Sequence, residues 1–490
     1  MYSQIKKLGS ETLIYGFATV FGRFLNFLLT PMYSNLLVGP EYEFVIYIYT
    51  LLAFVNVLYS FGMESSFFRF YTKDNLQQAK KVFTISFYTI NVLSLLFTFI
   101  FLFSSDFIAE SIAPDLISAP ELIRLAVFIP LLDALILVPM GYLRMTNQAK
   151  KFAAIRFLMI FLTVILNFAL LMGFNLQAKG VLLAQLITSF LAVLYILPII
   201  FRHFLKEFDP KLLSRMLKFG LPTLPASLAA IILQVADRPI LAELTDSYKE
   251  IVTYQVNYRL GIPMMIFVTV FEYAWKPFYL TNYTQPDARN LFARIFTYFT
   301  LIAALIFVLI TMFIQHIVMI PGIGGKYFIN PEYWSGLHII PIILIAYYFN
   351  GVFTNMSAGI LIEKKTAYLP LAVGTAAVVN IALNFILIPI MGYTGAAWAT
   401  LAAYLVSALI IYYVSYQVYP VNYEWSRILK IIVAAGIIFV SDKFASEHFV
   451  GIMSFMIKII LLTAFIMILK FMNFFGKEEI ELIRKFIKRR

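Results

Sequence analysis

Long, uninterrupted apolar stretches recur along the whole sequence. Two examples, residues 301–310 and 459–468, contain no charged side chain. About 20 apolar residues are enough to cross the hydrocarbon core of a bilayer as a helix. Hydrocarbon offers no partners to backbone N–H and C=O groups, and a membrane strand would alternate polar and apolar residues over segments of about 10. The pattern therefore predicts an all-α, polytopic membrane protein.

Composition agrees with this class. Hydrophobic residues make up 61% of the 490 positions and charged residues 13%, whereas soluble domains are about 25% charged. The hydropathy pattern predicts about fourteen spans. We place these at 13–37, 42–68, 82–104, 122–143, 153–173, 180–201, 219–243, 251–272, 295–315, 336–360, 368–390, 396–418, 429–446 and 450–472.

A weak internal repeat suggests how the spans are grouped. One constant offset aligns Leu37, Glu43 and Tyr47 with Leu244, Glu250 and Tyr254. Internal repeats are typical of secondary transporters, which bind substrate between the repeated halves. We predict two pseudo-symmetric six-helix lobes, 1–205 and 206–425, followed by two additional helices and a basic cytoplasmic tail in 426–490.

The net charge of +12 has a topological explanation. With these spans, 28 lysines and arginines fall on the side of the two termini, and only Lys179, Lys249, Lys326 and Lys443 fall in the opposite connections. Basic residues accumulate on the cytoplasmic side of membrane proteins. Both termini are predicted to be cytoplasmic, and the positive charge is no indication of nucleic-acid binding.

Motifs for soluble chemistry are missing from the sequence. Residues 322–326 lack the spacing of a phosphate-binding loop, and there is no cysteine. The histidines, His203, His316, His338 and His448, are too scattered to suggest a metal cluster. A membrane enzyme such as a glycan polymerase would need a large loop with acid–base residues, and none is present. We predict a transporter without a cofactor, with its energy drawn from an ion gradient, the membrane potential or the substrate gradient; Na+ and H+ are the candidate coupling ions.

Ionisable residues inside the spans are the main candidates for a site, since they are costly in lipid and usually face a bundle interior. Arg23 lies about 15 Å into span 1, with Asn26 on the same helix face. Arg259 lies about 12–15 Å into span 8, and Asp133 is at similar depth in span 4. The alternative for both arginines is a buried structural pair with Asp133 or Glu64.

Other polar residues recur at helical spacing. In span 2, Asn56, Ser60 and Glu64 are predicted to share one face. Span 7 carries Gln234, Asp237 and Arg238, and its prolines Pro222, Pro225 and Pro239 should bend it. Asn380 and Asn384 lie one turn apart in span 11, and Arg69 and Lys276 lie at cytoplasmic exits.

Each of these has a structural alternative. The pair Asp237–Arg238 can be purely structural. Asn380 and Asn384 can be interhelical hydrogen-bonding residues. Arg69 and Lys276 can extend to lipid phosphates.

Two arginines in opposite halves near the membrane midplane suggest a cationic cavity. A guanidinium stays charged when buried and binds phosphate oxygens through two hydrogen bonds. Arg23 and Arg259 therefore favour a phosphorylated or pyrophosphorylated substrate over a cationic drug.

Several segments of the chain carry a family resemblance, which extends over most of its length. These are residues 23–31 (RFLNFLLTP), 39–42 (GPEY), 62–71 (GMESSFFRFY), 237–238 (DR) and 258–260 (YRL). They resemble the polysaccharide transporters, or Wzx-type O-antigen flippases, of the multidrug/oligosaccharidyl-lipid/polysaccharide exporter superfamily. The resemblance implies a bacterial inner-membrane flippase that moves polyprenyl-pyrophosphate-linked oligosaccharides by alternating access.

The resemblance also implies roles for the candidate residues. Arg23 and Arg259 would hold the pyrophosphate, with Asn26 and Arg238 nearby, while Arg69 and Lys276 would gather anionic headgroups. Sugar contacts would come from Asn56, Gln234, Asn380 and Asn384, and ion coupling from Glu64, Asp133 and Asp237. The expected partners are the lipid-linked glycan, membrane lipids, a glycan polymerase and glycosyltransferases. The alternative is a cation-coupled multidrug exporter, which should have an acidic midplane and usually twelve spans.

Overall fold

The computed structural model describes residues 16, 20–25, 27–37, 39–114, 116–245, 247–322, 325–449 and 451–476. Within these ranges the protein is helical, with a single isolated β-bridge between Pro321 and Tyr327. The predicted all-α class is therefore confirmed.

The first half of the chain forms nine helices. Residues 20–25 and 27–36 belong to α1. The others are α2 Gly39–Ser60, α3 Met63–Phe70, α4 Leu76–Phe103, α5 Ser105–Ile112, α6 Ala119–Ala126, α7 Phe128–Met145, α8 Ala149–Phe168 and α9 Gln177–His203.

The second half contributes eleven more helices. These are α10 Pro210–Gly220, α11 Leu224–Val235, α12 Asp237–Leu244, α13 Tyr248–Leu260, α14 Ile262–Asn282, α15 Ala288–Val318, α16 Ile340–Ile362, α17 Tyr368–Met391, α18 Tyr393–Val418, α19 Trp425–His448 and α20 Gly451–Phe471. A 3₁₀ segment, Pro331–Ile339, leads into α16.

Eleven helical stretches of the described chain are long and apolar enough to cross a membrane. Each coincides with one predicted span. Two more predicted spans, 8 and 13, coincide with the more polar helices α13–α14 and α19. The remaining span, 13–37, contains α1 and is only partly described. The chain is a multi-pass membrane protein, as predicted.

The structure corrects the prediction for span 2. The helix is interrupted between α2 and α3, where Phe61 and Gly62 have positive φ angles of 47° and 69°. Asn56 and Ser60 lie before this break and Glu64 lies after it. The three residues therefore do not share one helix face, because two left-handed residues change the direction of the chain between them.

Prolines explain the breaks in spans 7 and 8. Span 7 divides into α10, α11 and α12. Pro239 has no N–H to donate to the Val235 carbonyl, so the helix is interrupted between α11 and α12. Span 8, predicted at 251–272, is formed by two helices and not by one, since α13 ends at Leu260. Pro263 has no N–H for the carbonyl of Arg259, so the helix restarts as α14.

The last two helices are fastened to α15. Near one end of the group, the Lys458 ammonium in α20 lies 3.2 Å from an Asp442 carboxylate oxygen in α19 and donates to the Met312 carbonyl in α15. Near the other end, Glu424 accepts a hydrogen bond of 2.6 Å from Thr297 of α15. Both ends of the α15–α19–α20 group are therefore held by polar contacts that lipid cannot replace.

The two halves of the chain meet at both ends of the bundle. We call the end with the lysine- and arginine-rich connections the basic side. There, the Ser66 hydroxyl of α3 donates to the Met216 carbonyl of α10 at 2.6 Å. On the opposite side, Lys326 donates to the Asn35 carbonyl at 2.8 Å. Between these contacts, α2 packs against α11, α12 and α13.

The contact on the basic side depends on two glycines. A Cβ on Gly62 would lie 2.2 Å from the Gly220 carbonyl oxygen, and a Cβ on Gly220 would lie 2.6 Å from the Gly62 oxygen. No side chain fits without moving backbone. We call this close approach the glycine contact.

Gly220→Ala should force α3 and α10 apart. Gly220 has an ordinary helical φ of −75°, so the substitution tests packing and not backbone strain. Overpacking costs about 1–3 kcal/mol, and a cost in the lower part of this range, about 1.4 kcal/mol, corresponds to a tenfold larger population with the contact open. The chain has no cysteine, so the thiol of Ser66→Cys should react about tenfold faster with a water-soluble maleimide when Gly220→Ala is added.

The matched control is Gly374→Ala, because a Cβ there meets nothing within 4 Å. Equal labelling rates in the Gly220→Ala and Gly374→Ala backgrounds would contradict the assignment of the glycine contact as a closure point.

Candidate functional site

A cavity of about 320 Å³ lies between the two halves of the chain. Its walls come from α1, α2, α8 and α9 on one side and from α11, α12 and α13 on the other. The lining residues are Leu29, Tyr33, Tyr42, Val45, Ile46, Tyr49, Thr50, Thr163, Gln185, Val235, Arg238, Gln255 and Arg259. The lining thus combines three tyrosines and four aliphatic residues with six polar or charged ones, among them two guanidinium groups from the second half.

Arg259 is the uncompensated cation of this cavity. It is half-buried in the last turn of α13, directly before the break at Gly261. Among the residues that the structure describes, it makes no hydrogen bond or ion pair. A charged group removed from water without a partner is costly, so an unpaired guanidinium facing a cavity is available for an anionic ligand.

Three tyrosines, Tyr33, Tyr42 and Tyr49, line the cavity together with Arg259. The Tyr33 phenol donates to the Asn167 side-chain oxygen at 2.9 Å, so its proton is already used. The Tyr42 ring is only 1% exposed, and its hydroxyl has no hydrogen-bond partner in the described chain. Buried hydroxyls are normally satisfied. Tyr42 and Arg259 together offer a neutral and a charged donor to the same space.

Arg238, in contrast, is fully engaged. Its side chain and that of Asp237 are 5% and 4% exposed, and their charged atoms lie 2.6 Å apart. Its Nε donates to the Gln255 side-chain oxygen at 3.0 Å, and its guanidinium lies 4.4 Å from the centre of the Tyr258 ring. The structural pair Asp237–Arg238, one of the two interpretations of these residues, is present, and its arginine also lines the cavity.

The Asp237 carboxylate is surrounded by hydroxyl groups from other helices. The Tyr254 phenol donates to it, and the Thr400 hydroxyl of α18 lies 3.4 Å from the same oxygen. On α17, which packs against α12, the buried Asn384 donates to the Asn380 side-chain oxygen at 3.1 Å. The Asn384 oxygen itself has no partner within the described ranges. This polar region lies behind the cavity wall.

Arg23 does not line the cavity. Its guanidinium donates to the Thr269 hydroxyl of α14, and so links the two halves of the chain. The two carboxylates considered as its partners lie elsewhere. Asp133 accepts a hydrogen bond of 3.0 Å from Ser189, and Glu64 lies 3.9 Å from Arg144. Among the described residues, neither Arg23 nor Arg259 therefore forms the alternative buried pair with Asp133 or Glu64.

The other predicted residues are dispersed. Asn26 lies outside the described residues. The side chains of Asn56 and Gln234 are exposed and are not part of the cavity lining, and Arg69 and Lys276 are exposed toward the basic side. The structure therefore brings together Arg238 and Arg259, with Asp237 behind them, and leaves the remaining candidates apart.

Sequence analysis missed the aromatic part of the site. Tyr42 and Tyr49 are seven residues apart and so share one face of α2, but an apolar span full of tyrosines gives this spacing no special weight. Gln255 and Arg259, one turn apart on α13, were the more visible signal. Their relation to Tyr42 depends on the packing of α2 against α13.

The sequence profile of a family described as polysaccharide biosynthesis protein matches residues 8–280, which is more than half of the chain. The chain belongs to the polysaccharide biosynthesis protein family. This membership confirms the family resemblance found in the sequence. No curated protein sequence gives a significant match.

Solved structures show the fold of this polysaccharide biosynthesis protein. The lipid II flippase MurJ in an inward closed conformation superposes with a TM-score of 0.70 at 17% identity, over 92% of this chain and 98% of MurJ. An inward-facing multidrug resistance MATE family transporter of the MOP superfamily gives 0.66 at 12% identity, over 81% and 94%.

A MOP superfamily transporter from Pyrococcus furiosus, described as having a binding pocket of reverse polarity, gives a TM-score of 0.59 at 14% identity, over 87% and 96%. The chain therefore has the fold shared by these transporters, over nearly the whole length of each.

Proposed function

We propose that the protein is a flippase that moves a polyprenyl-pyrophosphate-linked oligosaccharide across a bacterial inner membrane. The observation that carries this proposal is the unpaired guanidinium of Arg259, which faces an inter-half cavity together with the unpartnered Tyr42 hydroxyl. A pyrophosphate supplies the acceptor oxygens that these donors lack. Family membership supports a glycan as the cargo.

Alternating access between two lobes, residues 1–205 and 206–425, is the proposed mechanism. The contacts Ser66–Met216 and Asn35–Lys326 join the two halves on the basic side and the opposite side of the cavity. Opening one contact while the other stays closed would expose the cavity to one side only. With the basic side in the cytoplasm, cargo would enter at the glycine contact.

Asp237 is the proposed site for a coupling ion, Na+ or H+. Its carboxylate is buried beside Arg238, Tyr254 and Thr400. A cation or proton bound there would compete with Arg238 for the negative charge of the carboxylate. Glu64 and Asp133 remain secondary candidates. We further propose that the protein catalyses no covalent chemistry and works alongside a glycan polymerase and glycosyltransferases.

A cation-coupled multidrug exporter is the competing function, and the cavity disfavours it. The described lining contains two arginines and no aspartate or glutamate. Asp237 balances the charge of Arg238, but Arg259 has no acidic partner among the described residues, so a cationic drug would meet its like charge in a confined space of low dielectric constant.

Transport by the purified protein in liposomes separates the two functions. We expect a fluorescent polyprenyl-pyrophosphate-linked oligosaccharide to reach the opposite leaflet at least tenfold faster than in protein-free liposomes, and a cationic dye not to be accumulated. Dye accumulation without movement of the lipid-linked glycan would overturn the proposal.

A further inference from the structure

A second cavity lies on the basic side, apart from the central cavity. It is a groove of about 460 Å³ along α10 and the 3₁₀ turn that follows it. The lining residues are Pro210, Leu213, Ser214, Leu217, Lys218, Leu221 and Pro222. All of them come from one stretch of chain, so the groove is open on its other side to whatever surrounds the protein.

The helix has three different faces. Leu212, Met216 and Gly220 are buried, and Met216 lies against α3. A second face, with Leu213, Leu217 and Leu221 at helical spacing, forms the apolar floor of the groove. On this second face Leu213 and Leu217 are half-buried at the edge of the apolar cluster beneath α10, and Leu221 is exposed.

A basic stripe runs beside the apolar floor. Lys211, Ser214 and Lys218 are spaced by three and four residues, so they lie along one line of the helix, and all three are exposed. Among the described acidic residues none lines the groove. The groove therefore pairs hydrocarbon contacts with positive charge and a hydroxyl donor.

We propose that this groove binds an anionic phospholipid. The groove lies at the start of a membrane span, where the leucines can contact acyl methylenes while the long lysine side chains extend to the headgroup. Charge complementarity selects an anionic headgroup, because basic clusters at a membrane surface attract anionic lipids. The volume suits a headgroup with the upper part of one chain.

The bound lipid would sit on the helix that forms the glycine contact. Met216 and Gly220 face α3, whereas Leu213 and Leu217 face the groove on the same helix. Lipid bound on one face of α10 would thus act on the packing of the other face against α3, at the contact between the halves. This inference does not depend on the identity of the transported cargo.

The test is native mass spectrometry of the full chain in detergent, titrated with phosphatidylglycerol or phosphatidylcholine. We expect phosphatidylglycerol to bind more tightly, and Lys211→Gln/Lys218→Gln to weaken it about 25-fold, since each basic residue at an anionic surface contributes about fivefold. Phosphatidylcholine binding should stay unchanged.

The matched control is Lys150→Gln/Lys151→Gln. It removes the same charge from two exposed lysines on the basic side, in the first turn of α8 and outside the groove. The proposal is overturned if the control weakens phosphatidylglycerol binding as much as the groove variant does. It is also overturned if wild-type protein binds the two phospholipids equally.

Discussion

Replacing Arg259 by alanine should reduce glycan export by two to three orders of magnitude while the protein level stays normal. A hydrogen bond to a charged group contributes about 1.5–3 kcal/mol, and a guanidinium can make two to one pyrophosphate. Losing both at the lower end of this range, about 3–4 kcal/mol in total, corresponds to roughly 100- to 1,000-fold weaker binding. Arg259 has no structural partner in the described chain, so folding should not suffer.

Surface glycan measured in cells, with the amount of membrane protein determined in parallel, checks this expectation. Arg259→Lys should retain partial export, because lysine keeps the charge and loses the fork geometry. Lys365→Ala is the control for removal of a cation from an exposed site on the basic side. Normal export by Arg259→Ala would remove Arg259 from substrate binding.

Arg238→Ala should have the largest effect on stability. It leaves the Asp237 carboxylate buried with only hydroxyl donors, and breaking a buried ion pair by removing one partner costs about 3–5 kcal/mol. Thermal unfolding of the purified protein in detergent should show a clearly lower midpoint than the wild type.

The double variant Asp237→Asn/Arg238→Gln provides the comparison. It is neutral at both positions and keeps similar shapes, so it should be less destabilised than Arg238→Ala, because no unpaired buried charge remains. If the double variant is the less stable of the two, the energetic account of this pair is wrong. The pair would then contribute mainly through specific hydrogen bonds such as that to Gln255.

The sequence predicted what depends on local pattern. Apolar runs located the spans, and Pro222, Pro225 and Pro239 predicted a broken helix, which the structure shows as α10, α11 and α12. The break in span 8 was missed although Pro263 marks it. The break at Phe61–Gly62 has a weaker signal, since a phenylalanine in a left-handed conformation cannot be predicted from its residue type.

The site was predictable only in part, for a physical reason. Arg259 and Arg238 stand out because charge in a span is rare and costly. Tyr42 lies in the same cavity as Arg259 because α2 packs on α13, a contact between residues more than 200 positions apart. The sequence predicts a similar depth for Arg23 and Arg259, but the Arg23 guanidinium donates to the Thr269 hydroxyl. Depth alone therefore cannot distinguish a residue that lines the cavity from one that links two helices.

The size of the central cavity bears on how many cargoes one such carrier can serve. About 320 Å³ is at the lower end of what a drug-sized molecule occupies, too little for a chain of several sugars. In this conformation only the diphosphate linker of the proposed cargo would fit beside Arg259. A transporter that binds the diphosphate, which is common to all repeat units, would tolerate changes in the sugars. New glycans could then arise in a lineage without a matching change in the transporter.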